Sequence, residues 1–254
     1  MDYDSLLELV KNRRSIRKFR TDPVPDEHVD KIIEVARQAP SGYNTQPWDF
    51  IVIKKKELKE SIMNLINEYR RTHWEKMEQT RESWQKDRFL VKIDKLGGDW
   101  SKTPIFILVC GDTRTKAGLP MTVRYHQQKC ESIYTSSLAS AFVYMQLAAT
   151  TLGLTTQWVT AVQVPLVNCM IKDLLGIPEA IEIYDLMLLG YAASKVRPKF
   201  LRAKEKMVHF DDCGPDDFRT DEEVKDFVRK TRSWIHATAN RSVDNGSNGS
   251  EEEV

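Results

Sequence analysis

The chain has no CxxC pair among its four cysteines and no HExxH or paired-ligand spacing among its five histidines. The first absence leaves reduced, mostly buried thiols as the expected state of Cys110, Cys130, Cys169 and Cys213. The second argues against the common zinc arrangements, and no metal site is expected. Neither GxGxxG nor GxxxxGK[ST] occurs, so the dinucleotide-binding and P-loop fingerprints are both missing. No apolar run reaches the length that crosses a bilayer. The start, MDYDSLLELV, is acidic and then helical, without the basic and long apolar regions of a signal peptide. A cytoplasmic location is the resulting expectation, and the Asn-x-Ser triplets at Asn240, Asn245 and Asn248 read as accidents of a polar tail. An excess of one charge is missing too. The 38 basic and 37 acidic residues leave a net charge of +1, which gives no global field for nucleic acid or an anionic membrane. The short basic runs Lys54–Lys56 and Arg70-Arg71 are closely followed by acids and read as solvated helix faces.

What is present is enough for a substantial core. A single domain of 254 residues could bury roughly 75% of its unfolded surface without a disulfide or a metal. Helical patterning is expected over 3–11, over 25–39 with Pro25-Asp26-Glu27 at its start, over 54–69, over 131–152 ending at Gly153, and over 165–175 closed by Gly176 and Pro178. Strands are expected at 49–53, 104–110, 157–162 and 183–189, the second apolar throughout and therefore central. The elements alternate irregularly, which predicts a mixed α/β layer structure. The Ser- and Ala-rich helix 131–152 reads either as a core helix or as one that also packs across a dimer interface. Residues 70–103 are dense in charge yet carry Trp74, Trp84, Phe89 and Trp100. They read equally as a helical insertion covering something apolar and as a surface helix pair. One further helix is expected over 221–234, and the Gly/Ser/Asn-rich, finally acidic end over 237–254 is expected to be disordered.

Two segments carry chemistry. Arg13-Arg14-Ser15-Ile16-Arg17 packs three guanidinium groups and a hydroxyl into five residues, a match to a phosphate and a chain of hydroxyls. Pro40-Ser41-Gly42-Tyr43-Asn44-Thr45-Gln46-Pro47-Trp48 is a polar turn leading into an apolar strand. Taken alone, the first could be a solvated basic turn and the second an ordinary helix-to-strand loop with Trp48 in the core.

In this order, with Leu174-Leu175-Gly176-Ile177-Pro178-Glu179 before the last strand and Gly190-Tyr191, Lys195 and Arg197 after it, the set resembles the FMN-dependent nitroreductase superfamily over about residues 5–200. The resemblance implies an α+β, three-layer α/β/α fold. Its central sheet would be mixed and mostly antiparallel, in a domain-swapped homodimer with FMN at the interface. It divides the chain into an FMN-binding domain over 1–200 (70–103 as a lid or insertion), an extension over 201–236 that could wrap the partner, and the tail. By the same resemblance, Arg13, Arg14, Ser15 and Arg17 hold the FMN phosphate and ribityl chain, and Lys195 and Arg197 complete the phosphate site. Pro40, Ser41, Gly42 and Asn44 reach the flavin from the partner subunit. Trp158, Val159 and Thr160 lie beside the ring, with the Thr160 hydroxyl as the catalytic contact to N5. The implied reaction takes hydride from NADH or NADPH and passes electrons to a small planar acceptor, a nitroaromatic, quinone or conjugated carbonyl. No side-chain nucleophile is needed. Relatives that remove halogen from aromatic rings or cleave the flavin itself remain open, as does an FMN-binding regulatory protein without turnover.

Overall fold

The computed structural model describes residues 2–78, 80, 82, 100–193 and 199–231. The chain divides into two compact units, 1–69 with 98–197 and 70–97 with 198–254.

The first unit is built on one antiparallel sheet. Its strands are β1 (Trp48–Ile53), β2 (Ile105–Asp112), β3 (Thr155–Val159) and β4 (Ile181–Gly190), in the order β1-β2-β4-β3. All three pairings are antiparallel. Among the described residues, parallel pairing is confined to the single bridge between Ser15 and Thr156. β2 is central, as its unbroken apolar run requires, because a strand with both faces covered has no polar side to show.

Alternation along β2 sends side chains to two separate cores. Phe106, Leu108 and Cys110 join one apolar cluster with Ile62 and Ile66 of α3 (Lys56–Tyr69) and Val167 and Ile171 of α7 (Pro165–Leu175). Ile105, Ile107 and Val109 join the other, with Ile32 and Ala36 of α2 (Asp26–Arg37) and Leu138, Phe142 and Met145 of α6 (Gln127–Thr151). Helices therefore cover both sheet faces, and the three-layer α/β/α arrangement follows. α1 (Tyr3–Asn12) is different: none of its residues is buried, although Tyr3, Leu6 and Val10 are apolar. A four-residue helix, α5 (Met121–Arg124), precedes α6. Among the described residues, no helix is long and apolar enough to cross a membrane.

Four expectations shift. α6 starts at Gln127, four residues before the apolar periodicity that marks it, and its first turn has no side-chain cap for the sequence to advertise. β3 starts two residues earlier than its apolar content suggests. Gly153 turns the chain at φ 71, so the chain enters the sheet immediately. Trp100, grouped with the insertion on charge density, is a 5% exposed member of the core cluster that holds Ile62 and Ile66. The thiols are all free, but only Cys110 and Cys130 are buried; Cys169 and Cys213 are exposed, against the expectation of mostly buried thiols.

The second unit contains a π-helical turn (Arg70–Trp74), the short helix α4 (Glu75–Glu78) and a helix, α8, over 221–231. α8 opens on a capping box: Thr220 N–H donates to Glu223 Oε2 at 2.9 Å, and Glu223 N–H donates back to Thr220 Oγ1 at 3.3 Å. Phe200 stacks on Phe227 with centroids 5.7 Å apart. Trp84 and Phe89 and the tail 237–254 lie outside the described residues.

Candidate functional site

The basic cluster sits where α1 hands the chain to the sheet. The Ile16 N–H donates to the Thr156 carbonyl at 3.0 Å, and Ile16 and Phe19 anchor the segment in the α3/α7 core. The strand-like segment continues with the Arg20 N–H donating to the Tyr191 carbonyl at 2.9 Å and the Ala193 N–H to the Lys18 carbonyl at 3.0 Å. The cluster is thus pinned between the start of β3 and the exit of β4. Lys195 and Arg197 lie outside the described residues, two and four positions beyond Ala193.

Arg13 and Arg14 are partly buried and Ser15 is exposed; Arg17 is exposed as a whole residue, but protein atoms crowd its guanidinium end. Burial holds the Arg13 and Arg17 guanidinium groups below their ordinary pKa, and for Arg13 the like charge of Arg14 adds to it. Among the described residues, neither Arg13 nor Arg17 has an ion-pair partner. Guanidinium groups partly desolvated and left without a carboxylate suit an anion. One further group suits a polyhydroxylated phosphate ester. Gln157, beside the Thr156 bridge, is 8% exposed, and its side-chain oxygen has no hydrogen-bond partner. An orphaned acceptor of this kind is satisfied by a hydroxyl donor. The residues present therefore fit FMN, whose phosphate and ribityl hydroxyls supply both chemistries.

The second motif folds against α6. The Gly42 N–H donates to Ser137 Oγ at 3.0 Å, and Ser140 Oγ donates to the Pro40 carbonyl at 2.6 Å. Inside the loop, the Gln46 N–H donates to Ser41 Oγ at 3.0 Å and Gln46 Nε2 to Asn44 Oδ1 at 3.2 Å. Three non-glycine residues have left-handed backbone here: Tyr43 and Asn44 at φ 54 and Gln46 at φ 43. Asparagine tolerates that region, but for Tyr43 and Gln46 it is strain, which persists where the surroundings over-determine it and clusters at functional sites. Pro40, Tyr43, Asn44 and Gln46 remain exposed around this rigid frame. Beside it, an open groove of about 830 Å³ is lined by Tyr125, His126, Lys129, Ser132 and Ile133 at the start of α6.

Gly42 permits the close approach. A Cβ there would lie 2.1 Å from Ile133 Cγ2, an atom next to a branched Cβ that cannot swing away. Gly42→Ala is expected to lift the loop from α6 and cost about 1–3 kcal/mol. Thermal denaturation should show a midpoint several degrees lower, with much of the loss recovered when Ile133→Ala is added. A lone Gly42→Ala variant melting with the wild type would show that the loop does not depend on this contact.

The third group divides. The Trp158 side chain is already engaged within the fold: its ring stacks on Phe142 at 4.0 Å, and its Nε1 donates to Asp185 Oδ2 at 2.5 Å. Val159 is buried in the α3/α7 core. Thr160 is exposed at the point where β3 ends. Of the three, Thr160 is the one whose side chain is turned outward.

The first two motifs meet α6 at different points along its length. The Gly42 loop meets α6 at Ile133 and Ser137, whereas the cluster's neighbour Thr156 accepts from Gln146 Nε2 at 3.3 Å. Nine helical steps from Ser137 to Gln146 span about 13 Å. Sequence reasoning passed over Gln157, Asp185 and Gln163. For Asp185 the signal was present, a lone carboxylate inside the apolar run Ile181–Gly190. Among the described residues, no cluster of His, Cys, Asp and Glu could hold a metal ion.

A family model described as the nitroreductase family matches residues 10–191. The chain is 31% identical over 192 residues to iodotyrosine deiodinase 1 of Rattus norvegicus, covering 72% of this chain and 61% of that protein. It is 30% identical over 205 residues to iodotyrosine deiodinase of Hydra vulgaris, covering 78% and 70%. The chain thus spans about three fifths to seven tenths of these relatives' length. Among solved structures, NfrA2 of B. megaterium superposes with a TM-score of 0.67 at 20% identity, covering 94% of this chain and 85% of that one, a likeness of fold.

Proposed function

The chain belongs to the nitroreductase family, and from that premise we propose that it is an FMN-dependent oxidoreductase that takes electrons from NADH or NADPH and passes them to a small, planar, electron-poor acceptor. The observation that carries this reading is that Arg13 and Arg17, partly desolvated, have no ion-pair partners among the described residues. FMN, when bound, supplies hydride and electron transfer through its isoalloxazine ring. A phosphate of roughly two negative charges suits Arg13, Arg14, Ser15 and Arg17, with Lys195 and Arg197 as further cations. Gln157 would accept a ribityl hydroxyl. Thr160, turned outward at the end of β3, would present its hydroxyl to the ring.

The homodimer is part of the same reading. The cluster and the Pro40–Asn44 loop address points about 13 Å apart on one helix. A two-fold partner offers the same surfaces in reverse order, so each site would take Pro40, Ser41, Gly42 and Asn44 from the other subunit. The exposed apolar residues Tyr3, Leu6 and Val10 of α1 are surface that such a partner would cover.

A second reading, reductive removal of halogen from an aromatic ring, is favoured by the deiodinase relatives. One experiment separates the two. The purified protein is loaded with FMN and its visible spectrum followed anaerobically with NADH or NADPH. Turnover is then assayed with menadione, a nitroaromatic and an iodinated phenol. Rapid bleaching and steady turnover of the first two acceptors support the reductase. Iodide release with dithionite as reductant, without response to either nicotinamide, supports the dehalogenase. A colourless protein that FMN cannot reconstitute overturns both.

A further inference from the structure

Asp185 is 1% exposed in the middle of β4, and the proposed reaction makes no use of it. The strand is irregular there. Val109 pairs with Asp185 but Cys110 pairs with Ile183, so Tyr184 is an extra residue and β4 bulges. Bulges re-aim side chains and recur beside active sites. This one falls opposite the end of β3: the last pair is Val159 with Leu186, so Thr160 leaves the sheet where Asp185 would have been its next partner. The carboxylate takes over from the lost ladder. Trp158 Nε1 donates to Asp185 Oδ2 at 2.5 Å, and Gln163 Nε2 donates to Oδ1 at 3.1 Å. One carboxylate therefore grips both sides of the 3-10 turn Ala161–Gln163 that follows Thr160. From the other side, Asn168 Nδ2 donates to the Val162 carbonyl at 3.1 Å and the Ile183 carbonyl at 3.3 Å, tying the same turn to β4.

We propose that Asp185 is a positioning residue: by holding Trp158 and Gln163 from the bulge, its carboxylate fixes the turn that carries Thr160. The consequence for catalysis rests on the proposed function, in which Thr160 would present its hydroxyl to the flavin ring. Burying a carboxylate is costly, and hydrogen bonds to its charged form offset that cost only in part. A buried carboxylate joined to the end of β3 through Trp158 and to the turn through Gln163 specifies how the turn leaves the strand in a way an apolar residue would not.

Two substitutions test this. Asp185→Asn keeps the shape but sets an amide donor against one of the two donors it faces. Gln163→Ala removes one grip at an exposed position, where folding is not at risk. Hydrogen exchange without added FMN should accelerate by about tenfold at the amides of 160–164 in both variants, while α2 and β1 exchange as in the wild type. With FMN bound, the visible circular dichroism of the flavin should change. The kcat should fall by about tenfold, with KM for the nicotinamide within about threefold. The double variant Asp185→Asn with Gln163→Glu reverses the polarity of the pair and should restore all three. Unaccelerated exchange at 160–164, or a double variant no nearer the wild type than Asp185→Asn alone, overturns the proposal. A wild-type protein that takes up no FMN defeats the functional reading, whereas the exchange measurement still decides the role of Asp185.

Discussion

Replacing Arg13 and Arg17 together by alanine is expected to strip the protein of FMN while leaving it folded. Among the described residues neither guanidinium has an ion-pair partner, so its loss breaks no ion pair there. Removing Arg13 also relieves its repulsion with Arg14. The apo-protein should melt within a few degrees of the wild type. Ligand binding should suffer much more. Hydrogen bonds to charged groups contribute about 1.5–3 kcal/mol each. Losing two should weaken FMN binding by about 10²- to 10⁴-fold, read from quenching of flavin fluorescence. Arg13→Lys with Arg17→Lys should recover part of the affinity, because the charge returns without the bidentate fork. Unchanged affinity in the alanine variant would remove the cluster from the site. Low affinity together with a collapsed melting transition would make the cluster a structural element.

The chemistry of Arg13 and Arg17 is visible in one dimension. Three arginines in five residues announce themselves without a fold, and so does the glycine that closes α7, which takes φ 66. The central strand was legible because a run with no polar member fits only between two covered faces. Other features depend on distant partners. The Gly42 loop is held by Ser137, 95 positions away, and nothing local to Pro40–Trp48 names that hydroxyl. Nor does the local sequence announce left-handed backbone at Tyr43 and Gln46, which tertiary contact imposes against propensity. The contacts of the Trp158 indole, with Phe142 and Asp185, are likewise set by residues distant in sequence. The bulge that aims Asp185 is a matter of register between two strands more than seventy residues apart in sequence, which a single-strand pattern does not carry.

The buried carboxylate also makes a prediction about pH, one that runs against the usual direction for acids in proteins. Burial pushes Asp185 up to about 7 from an ordinary value of 3.8, while the bonds from Trp158 and Gln163 pull back toward ionisation. Its titratable neighbour Tyr184 is pushed up to about 12 by burial, so it stays protonated while Asp185 titrates. Between about pH 4 and 7 the folded protein holds a proton at Asp185 that the unfolded chain has released. Stability linked to this group is therefore fully present below about pH 4, is lost as the pH rises to 7, and is level above. A shift of about three pKa units sets a ceiling of about 4 kcal/mol. Urea unfolding of the apo-protein at several pH values, wild type against Asp185→Asn, isolates this group because the other carboxylates cancel in the comparison. The wild type should lose about 2–4 kcal/mol relative to the variant between pH 4.5 and 7.5. A flat difference would mean that Asp185 ionises as readily in the fold as outside it, and with that the cost of holding its charge beneath Thr160 would vanish. A sloping difference would show stability given up at neutral pH for a charged grip on one turn, which is how strain at functional sites is maintained.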